Sequence, residues 1–299
     1  MAWFDGFEAK HHEVNGQRIF ARTGGRVGGP PLLLLHGFPQ THVVWHRVAQ
    51  ALKDRFFLVM PDLRGYGDST KPAGDADHAN YSKRAMAADM VALMQSLGHA
   101  RFALVGHDRG GRVAHRLAVD HPQAPTQVCV IDIAPTLDMY DSTDKRFATA
   151  YYHWFHLIQP SPLPERMIEA DPVFYLHWKL GAWGSAGIGY VEPEALAEYE
   201  RCFAQPASIH AMCEDYRASA AIDLEHDRAS RAADGRIACD TLVLWGTRGV
   251  VHRLFKPLEL WQAQCAGTVT GEALVSGHFV PEEAHDSVAR ALRAWLNSD

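Results

Sequence analysis

Phe102-Ala103-Leu104-Val105-Gly106-His107-Asp108-Arg109-Gly110-Gly111-Arg112 is the stretch that decides the fold. An apolar run, short enough for one buried strand, ends in Gly-x-Asp-x-Gly, and a helix-like segment from Arg112 to Val119 follows at once. Glycines on both sides of Asp108 allow a turn so sharp that side chains there would collide. Such a turn holds its central residue at strained dihedrals and presents it at the strand's end. Taken alone, the same stretch also reads as a tight turn with Asp108 capping a helix. The rest of the chain separates the two readings.

Moving outward, the same grammar recurs. Leu32 to Leu35 runs into His36-Gly37-Phe38-Pro39, Phe56 to Met60 into Pro61-Asp62, Val128 to Ile133 into Ala134-Pro135, and Thr241 to Trp245 into Gly246. Thr268 to Val275 is a further strand, and His42 to Leu52 and Ser82 to Leu97 are helix-like spacers. Phe7 to Val14 and Gln17 to Ala21 flank Asn15-Gly16, a hairpin signal. Strands alternating with amphipathic helices predict an α/β fold, a mostly parallel sheet flanked by helices on both faces. From about Leu137 to Arg236 the rhythm stops, and helix-like stretches such as Glu194 to Phe203 and Ile209 to Ser219 take over. The expectation is a core of residues 1–136 and 237–299, with a helical cap, 137–236, inserted after the sixth strand. A helix from Glu282 to Leu296 closes the chain.

Composition narrows the function. The 299 residues are 47% hydrophobic and 21% charged, with net charge −6, which excludes a disordered chain and disfavours a nucleic-acid or polybasic membrane surface. The longest apolar runs, such as Pro30 to Leu35, fall far short of the roughly 20 residues that cross a bilayer. Met1 to Gly6 shows no secretion signal, and the five cysteines lack C-x-x-C spacing, so a cytoplasmic protein with free thiols is expected. None of the 18 histidines forms H-E-x-x-H, and no metal site is expected.

Asp108 as nucleophile calls for partners. Ser276-Gly277-His278-Phe279 lies between the last strand and last helix, and a histidine late in the chain follows the order expected of this elbow. Two strand ends are placed to supply an acid for it. Gly246-Thr247-Arg248-Gly249 contains no carboxylate, which leaves Asp132, a residue that also reads as a strand-end cap. An aspartate nucleophile suits attack at an sp³ carbon, giving an ester that water then cleaves. His278 then serves to activate that water, because a carboxylate is already ionised at neutral pH. Backbone amides near Phe38 and Arg109 are candidates for the oxyanion hole. Arg109 and Arg112, three residues apart at a helix N-terminus, call for an anion: a substrate carboxylate, or acids of the cap. Arg116 reads as packing or solvation, and Asp62 to Ser69 as scaffold.

His36-Gly37-Phe38-Pro39-Gln40, Asp62-Leu63-Arg64-Gly65-Tyr66-Gly67-Asp68-Ser69 and Gly106-His107-Asp108-Arg109-Gly110-Gly111-Arg112 together resemble the α/β-hydrolase family, and within it the fluoroacetate dehalogenases. The resemblance extends over nearly the whole chain. It implies hydrolytic removal of halide from a small haloacetate, no cofactor or metal, and a homodimer. It also implies a halide site of His153, Trp154 and Tyr216, with Trp183 as a wall; fluoride, a poor leaving group, benefits from several donors aimed at it. An Asp elbow is shared with haloalkane dehalogenases and epoxide hydrolases. Tyr140, Tyr151 and Tyr152 therefore keep epoxide opening as the alternative, although a neutral epoxide offers the paired arginines nothing to bind. A non-catalytic binding protein of the same fold is the third reading.

Overall fold

The computed structural model describes residues 2–296. One eight-stranded sheet organises them: β1 (Phe7–Val14), β2 (Gln17–Gly25), β3 (Pro31–Leu35), β4 (Phe57–Pro61), β5 (Phe102–His107), β6 (Pro125–Ile131), β7 (Thr241–Gly246) and β8 (Val269–Leu274). Their spatial order is β1-β2-β4-β3-β5-β6-β7-β8. β1 and β2 form the hairpin that Asn15-Gly16 signalled, both turn residues having positive φ. β2 also pairs antiparallel with β4, and every pairing from β4 across to β8 is parallel. Leu32 to Leu35 of β3 have no solvent exposure, which is why that strand reads as an unbroken apolar run rather than an alternating one.

Helices cover both faces. A 3-10 turn over His42–Trp45 leads into α1 (His46–Leu52); α2 (Lys83–Ser96) packs against α3 (Arg109–Asp120). After β6 come eight helices with no strand among them: α4 (Thr136–Asp141), α5 (Lys145–Ala150), α6 (Tyr152–His156), α7 (Leu163–Glu169), α8 (Pro172–Leu180), α9 (Pro193–Phe203), α10 (Pro206–Ala220) and α11 (Ile222–Ala232). The sheet then resumes with β7, followed by α12 (Val250–Leu254), α13 (Pro257–Gln264), β8, α14 (Val280–Glu283) and α15 (His285–Trp295). α15 packs against α1. This is the α/β-hydrolase architecture, with the helical insertion after the sixth strand.

Two differences from expectation bear on the site. The helix after Asp108 starts at Arg109, three residues earlier than its apolar pattern, because Gly110 and Gly111 in its first turn contribute no periodicity. The closing helix is broken at Ala284, where φ is −132° and ψ is 36°. Its first turn is drawn into the loop before it: the Glu283 carboxylate accepts hydrogen bonds from the amides of Gly277 (2.8 Å) and Phe279 (3.1 Å). Those two amides flank His278, so the break is part of how that residue is held. Among the described residues no helix is long and apolar enough to cross a membrane.

Candidate active site

Loops at the C-terminal ends of β3, β5 and β6, and the loop after β8, converge below the inserted helices, as ligand sites in parallel sheets do. Asp108 occupies the turn between β5 and α3 with φ 47° and ψ −116°. The turn closes because a side chain at Gly106 would come within 2.4 Å of the Gly110 carbonyl oxygen, and one at Gly110 within 2.4 Å of that of His36. Asp108 is thus a strained turn residue rather than a relaxed helix cap, and its side chain caps nothing.

Its two carboxylate oxygens are inequivalent. Oδ1 accepts the Phe38 amide hydrogen at 2.9 Å, whereas Oδ2 stands 3.7 Å from Nε2 of His278. The Arg109 amide, the other expected donor, makes no hydrogen bond to this carboxylate. His278 donates from Nδ1 to Oδ2 of Asp132 at 2.6 Å, and Asp132 Oδ1 accepts from the Gly246 amide at 3.0 Å. Asp132 itself lies just past β6 with φ 50°. His107 donates from Nε2 to the His278 carbonyl oxygen at 2.9 Å, a contact the sequence did not suggest. Asp108, Asp132, His278 and His107 are all buried.

Burial and charge oppose each other here. Burial alone raises the Asp108 carboxyl, but the positive charges of His278 and Arg112 outweigh it and hold the group below the ordinary aspartate value. For His278 burial works against the imidazolium; the Asp132 hydrogen bond and the charges of Asp132 and Asp108 overcome it and raise the imidazole above its usual value. Burial pushes His107 down to about 3, which keeps it a neutral hydrogen-bond donor.

The two arginines divide the roles that the sequence left open. Arg109 is taken by an acid of the insertion: Nε and Nη2 each reach an oxygen of Asp215 at 2.8 Å, and Nη2 also reaches Ser219 Oγ at 2.9 Å. Among the described residues Arg112 has no carboxylate partner; Nη1 donates to Thr136 Oγ1 (2.9 Å) and the Ala134 carbonyl (3.2 Å), while Nε is buried without a partner. Arg116 ion-pairs with Asp120 and Asp227.

Asp215 is the main residue that sequence reasoning missed. Besides Arg109 it accepts from Tyr66 Oη (2.6 Å) and from Lys83. Tyr66 belongs to the loop read as scaffold, so that loop braces the site through Asp215. An Asp-Tyr pair on a helix gives no outward sign of this, because the contact to Arg109 spans 106 positions. Replacing Asp215 by asparagine leaves a buried guanidinium without its counter-charge. KM for an anionic substrate is expected to rise about 10- to 100-fold, with kcat less affected and some stability lost. Steady-state kinetics alongside thermal unfolding checks this; an unchanged KM refutes it.

The inserted helices bring the expected aromatic groups together. The His153 ring lies 5.5 Å from that of Tyr216 and stacks 5.8 Å from Phe38. His153 Nδ1 and Tyr216 Oη are buried without hydrogen-bond partners. Burial, reinforced by the Lys179 charge, holds His153 neutral, and burial together with Asp108 keeps the Tyr216 phenol protonated. Trp154 stacks under Arg112, ring to guanidinium 4.7 Å, and beside Tyr140 at 4.8 Å. Trp183 stands edge-on 5.2 Å from His278, its indole N–H spent on the Ala150 carbonyl at 3.0 Å, so it offers a face and not a donor. Tyr151 approaches His278 to 6.3 Å, whereas Tyr152 is 41% exposed.

The centre therefore combines a fixed carboxylate, a histidine-acid pair, a buried arginine without a carboxylate partner and several partnerless donors, a set suited to displacing a leaving group from an anionic substrate. Among the described residues no cluster of three His, Cys, Asp or Glu suited to a metal occurs.

Residues 30–280 match the model of the alpha/beta hydrolase fold family. A fluoroacetate dehalogenase from a Burkholderia species is 45% identical over 98% of this chain and 95% of its own length. A soluble epoxide hydrolase from a Corynebacterium species is 34% identical over 92% of this chain and 93% of its own. A crystal structure from a Nostoc species, described as an alpha/beta hydrolase, superposes with a TM-score of 0.95 at 50% identity, covering 99% of this chain and all of that one. With the elbow, the insertion and the histidine-acid pair in the positions described above, the chain belongs to the alpha/beta hydrolase family and is a hydrolase homologous to fluoroacetate dehalogenase.

Proposed function

We propose that the protein hydrolyses a haloacetate, fluoroacetate being the expected substrate, to glycolate and halide through an ester on Asp108. The observation that carries this is the Asp108 carboxylate: one oxygen tied to the Phe38 amide and the other free, beside a buried arginine that has no acid of its own. The substrate carboxylate docks on Arg112 and the unused Nη1 of Arg109. The halogen is directed at His153, Trp154 and Tyr216, with Trp183 as the wall. Asp108 Oδ2 attacks the halogen-bearing carbon, the carbon–halogen pair leaves with the halide, and Oδ1 becomes the ester carbonyl oxygen.

The second step follows from the same placement. His278, oriented by Asp132, takes a proton from water as that water attacks the Asp108 Cγ carbon. Charge then develops on Oδ1, where the Phe38 amide already points. The Cγ–Oδ2 bond breaks, His278 returns its proton to the departing alkoxide to give glycolate, and the carboxyl left behind, which carries one oxygen from water, loses its proton to solvent.

Ester formation also primes the base. In the free enzyme the Asp108 charge helps keep His278 protonated. Once Asp108 is an ester that charge is gone, the imidazole becomes less basic, and its neutral, water-activating form gains population. The pH midpoint for hydrolysis of the ester in single turnover is thus expected to lie below the NMR titration of His278 in the free enzyme. Equal midpoints, or the reverse order, refute this coupling.

The deciding experiment is halide release from fluoroacetate and chloroacetate, with styrene oxide in parallel. Release from the haloacetates supports the proposal, and turnover of styrene oxide alone transfers the assignment to epoxide hydrolysis. The epoxide reading retains one supporting observation, the partnerless Tyr140 hydroxyl beside Trp154.

The homodimer expected from the resemblance has a candidate face. Phe174 and Trp178 on α8 are 62% and 60% exposed, and Leu163 and Met167 on α7 are also exposed. Trp178→Glu is expected to shift the protein from dimer to monomer in light scattering; a dimer that persists excludes this face. The five unpaired thiols suit a reducing, cytoplasmic setting.

A further inference from the structure

Near His153 lies a second group of polar side chains that the proposed chemistry leaves unused. Lys179, on α8, is only 1% exposed. Its ammonium lies over the ring of Tyr152 at 3.6 Å, Tyr175 at 5.0 Å and Trp183 at 5.5 Å. Three aromatic faces stabilise a cation but do not neutralise it. Among the described residues no carboxylate ion-pairs with this lysine, and burial alone pushes it down to about 7. Lys179 is thus a buried amine without an acid partner among the described residues.

Its surroundings are rich in donors. Tyr175 Oη, both nitrogens of His156 and Nδ1 of His153 are buried with no hydrogen-bond partner. The His156 ring lies 6.2 Å from Tyr175 and 6.3 Å from Tyr152. The Lys179 charge acts on both His153 and His156 and disfavours their protonation, which leaves neutral N–H donors beside the ammonium. Trp183 joins the two regions, since its ring is 4.6 Å from His153 and also beneath the lysine. On the outer side, Tyr152 and Tyr175 line a surface cleft of about 340 Å³ together with Phe174 and Trp178.

We propose that Lys179, Tyr175, Tyr152 and His156 form a second anion site, which receives the halide displaced at Asp108 by way of His153 and releases it outward past the exposed Tyr152. This rests on the haloacetate reading for the source of the ion. The site itself follows from an unpaired ammonium and partnerless donors. The transfer needs no co-reactant: the halide leaves carbon with the bonding electron pair and moves as an anion. A small, strongly hydrated ion passing between buried side chains loses part of its water, and donors along its route replace that water. His153 serves both regions, since it faces Tyr216 on one side and lies within the reach of Lys179's charge on the other.

Two measurements test the site. In crystals of the whole protein soaked with sodium bromide, anomalous scattering is expected at Lys179 Nζ as well as among His153, Trp154 and Tyr216. Lys179→Met is expected to lose the first density and keep the second, and Lys179→Arg to keep both. No bromide at Lys179 in the unaltered protein overturns the proposal. In kinetics, Lys179→Met is expected to lower steady-state turnover of chloroacetate about tenfold by slowing ion departure. The first-turnover rate of Asp108 alkylation, read by rapid quench and intact mass, is expected to be retained. If alkylation slows as much as turnover does, Lys179 acts on the chemistry and the proposed role falls. If the unaltered protein is not alkylated by any haloacetate, the haloacetate reading fails, and the bromide density alone then decides whether the anion site exists.

Discussion

His278→Ala is expected to alkylate itself and stop. Each active site should release its halide once, after which the protein gains the mass of one carboxymethyl group, located by peptide mapping at Asp108. Multiple turnover should fall by about 10⁴-fold, the upper range for losing a general base, while the alkylation step slows far less. The reason lies in the geometry. His278 Nε2 is 3.7 Å from Asp108 Oδ2, too far for a hydrogen bond, and Asp108 is held ionised without proton transfer to any base. Attack on carbon thus proceeds without His278, and only the attack of water needs it. If the variant neither accumulates ester nor releases an initial equivalent of halide, the order of steps is wrong.

Asp108→Ala removes the nucleophile itself, and turnover is expected to fall by about 10⁵-fold or more, with no residual burst. Folding should survive, because the Asp108 side chain makes no cap bond to α3. The Phe38 amide loses its acceptor, which costs about 1 kcal/mol or somewhat more. Circular dichroism near that of the unaltered protein, with no halide release, is the expected pair of results. Substantial activity in this variant would show that water attacks the substrate directly. Heavy-oxygen water in one turnover gives an independent check, since the label is expected in the Asp108 carboxylate before it reaches glycolate.

The parts of this protein that lie close together in the chain were legible in it. The elbow at Gly106 to Gly110, the hairpin at Asn15-Gly16 and the apolar run of β3 each carry their reason within a few residues, in turn chemistry or in a strand buried on both faces. Asp132 and His278 were found by position, at a strand end and in a late loop, although 146 positions separate them. Asp215, Glu283 and Lys179 were not found. Each is a charged residue on a helix, and on a helix the ordinary expectation for a charge is solvent. What turns Asp215 inward is the helix α10 crossing above Arg109, and what occupies Glu283 is a pair of amides beside His278. Neither crossing leaves a local pattern. The break at Ala284 was hidden for the same reason, because it depends on where the Glu283 carboxylate goes rather than on helix propensity.

The Asp108 carboxylate has one oxygen held by the Phe38 amide and one left for attack, and this asymmetry has a stereochemical consequence. In the proposed mechanism the carbon of the substrate is attacked once, by Oδ2, from the face opposite the departing halogen, and water later strikes Cγ rather than that carbon. A single displacement at carbon cannot be undone by the second step. A 2-halo acid bearing one further small substituent, offered as a single enantiomer, should therefore emerge as the hydroxy acid of inverted configuration, with none of the retained product that two successive attacks at that carbon would give.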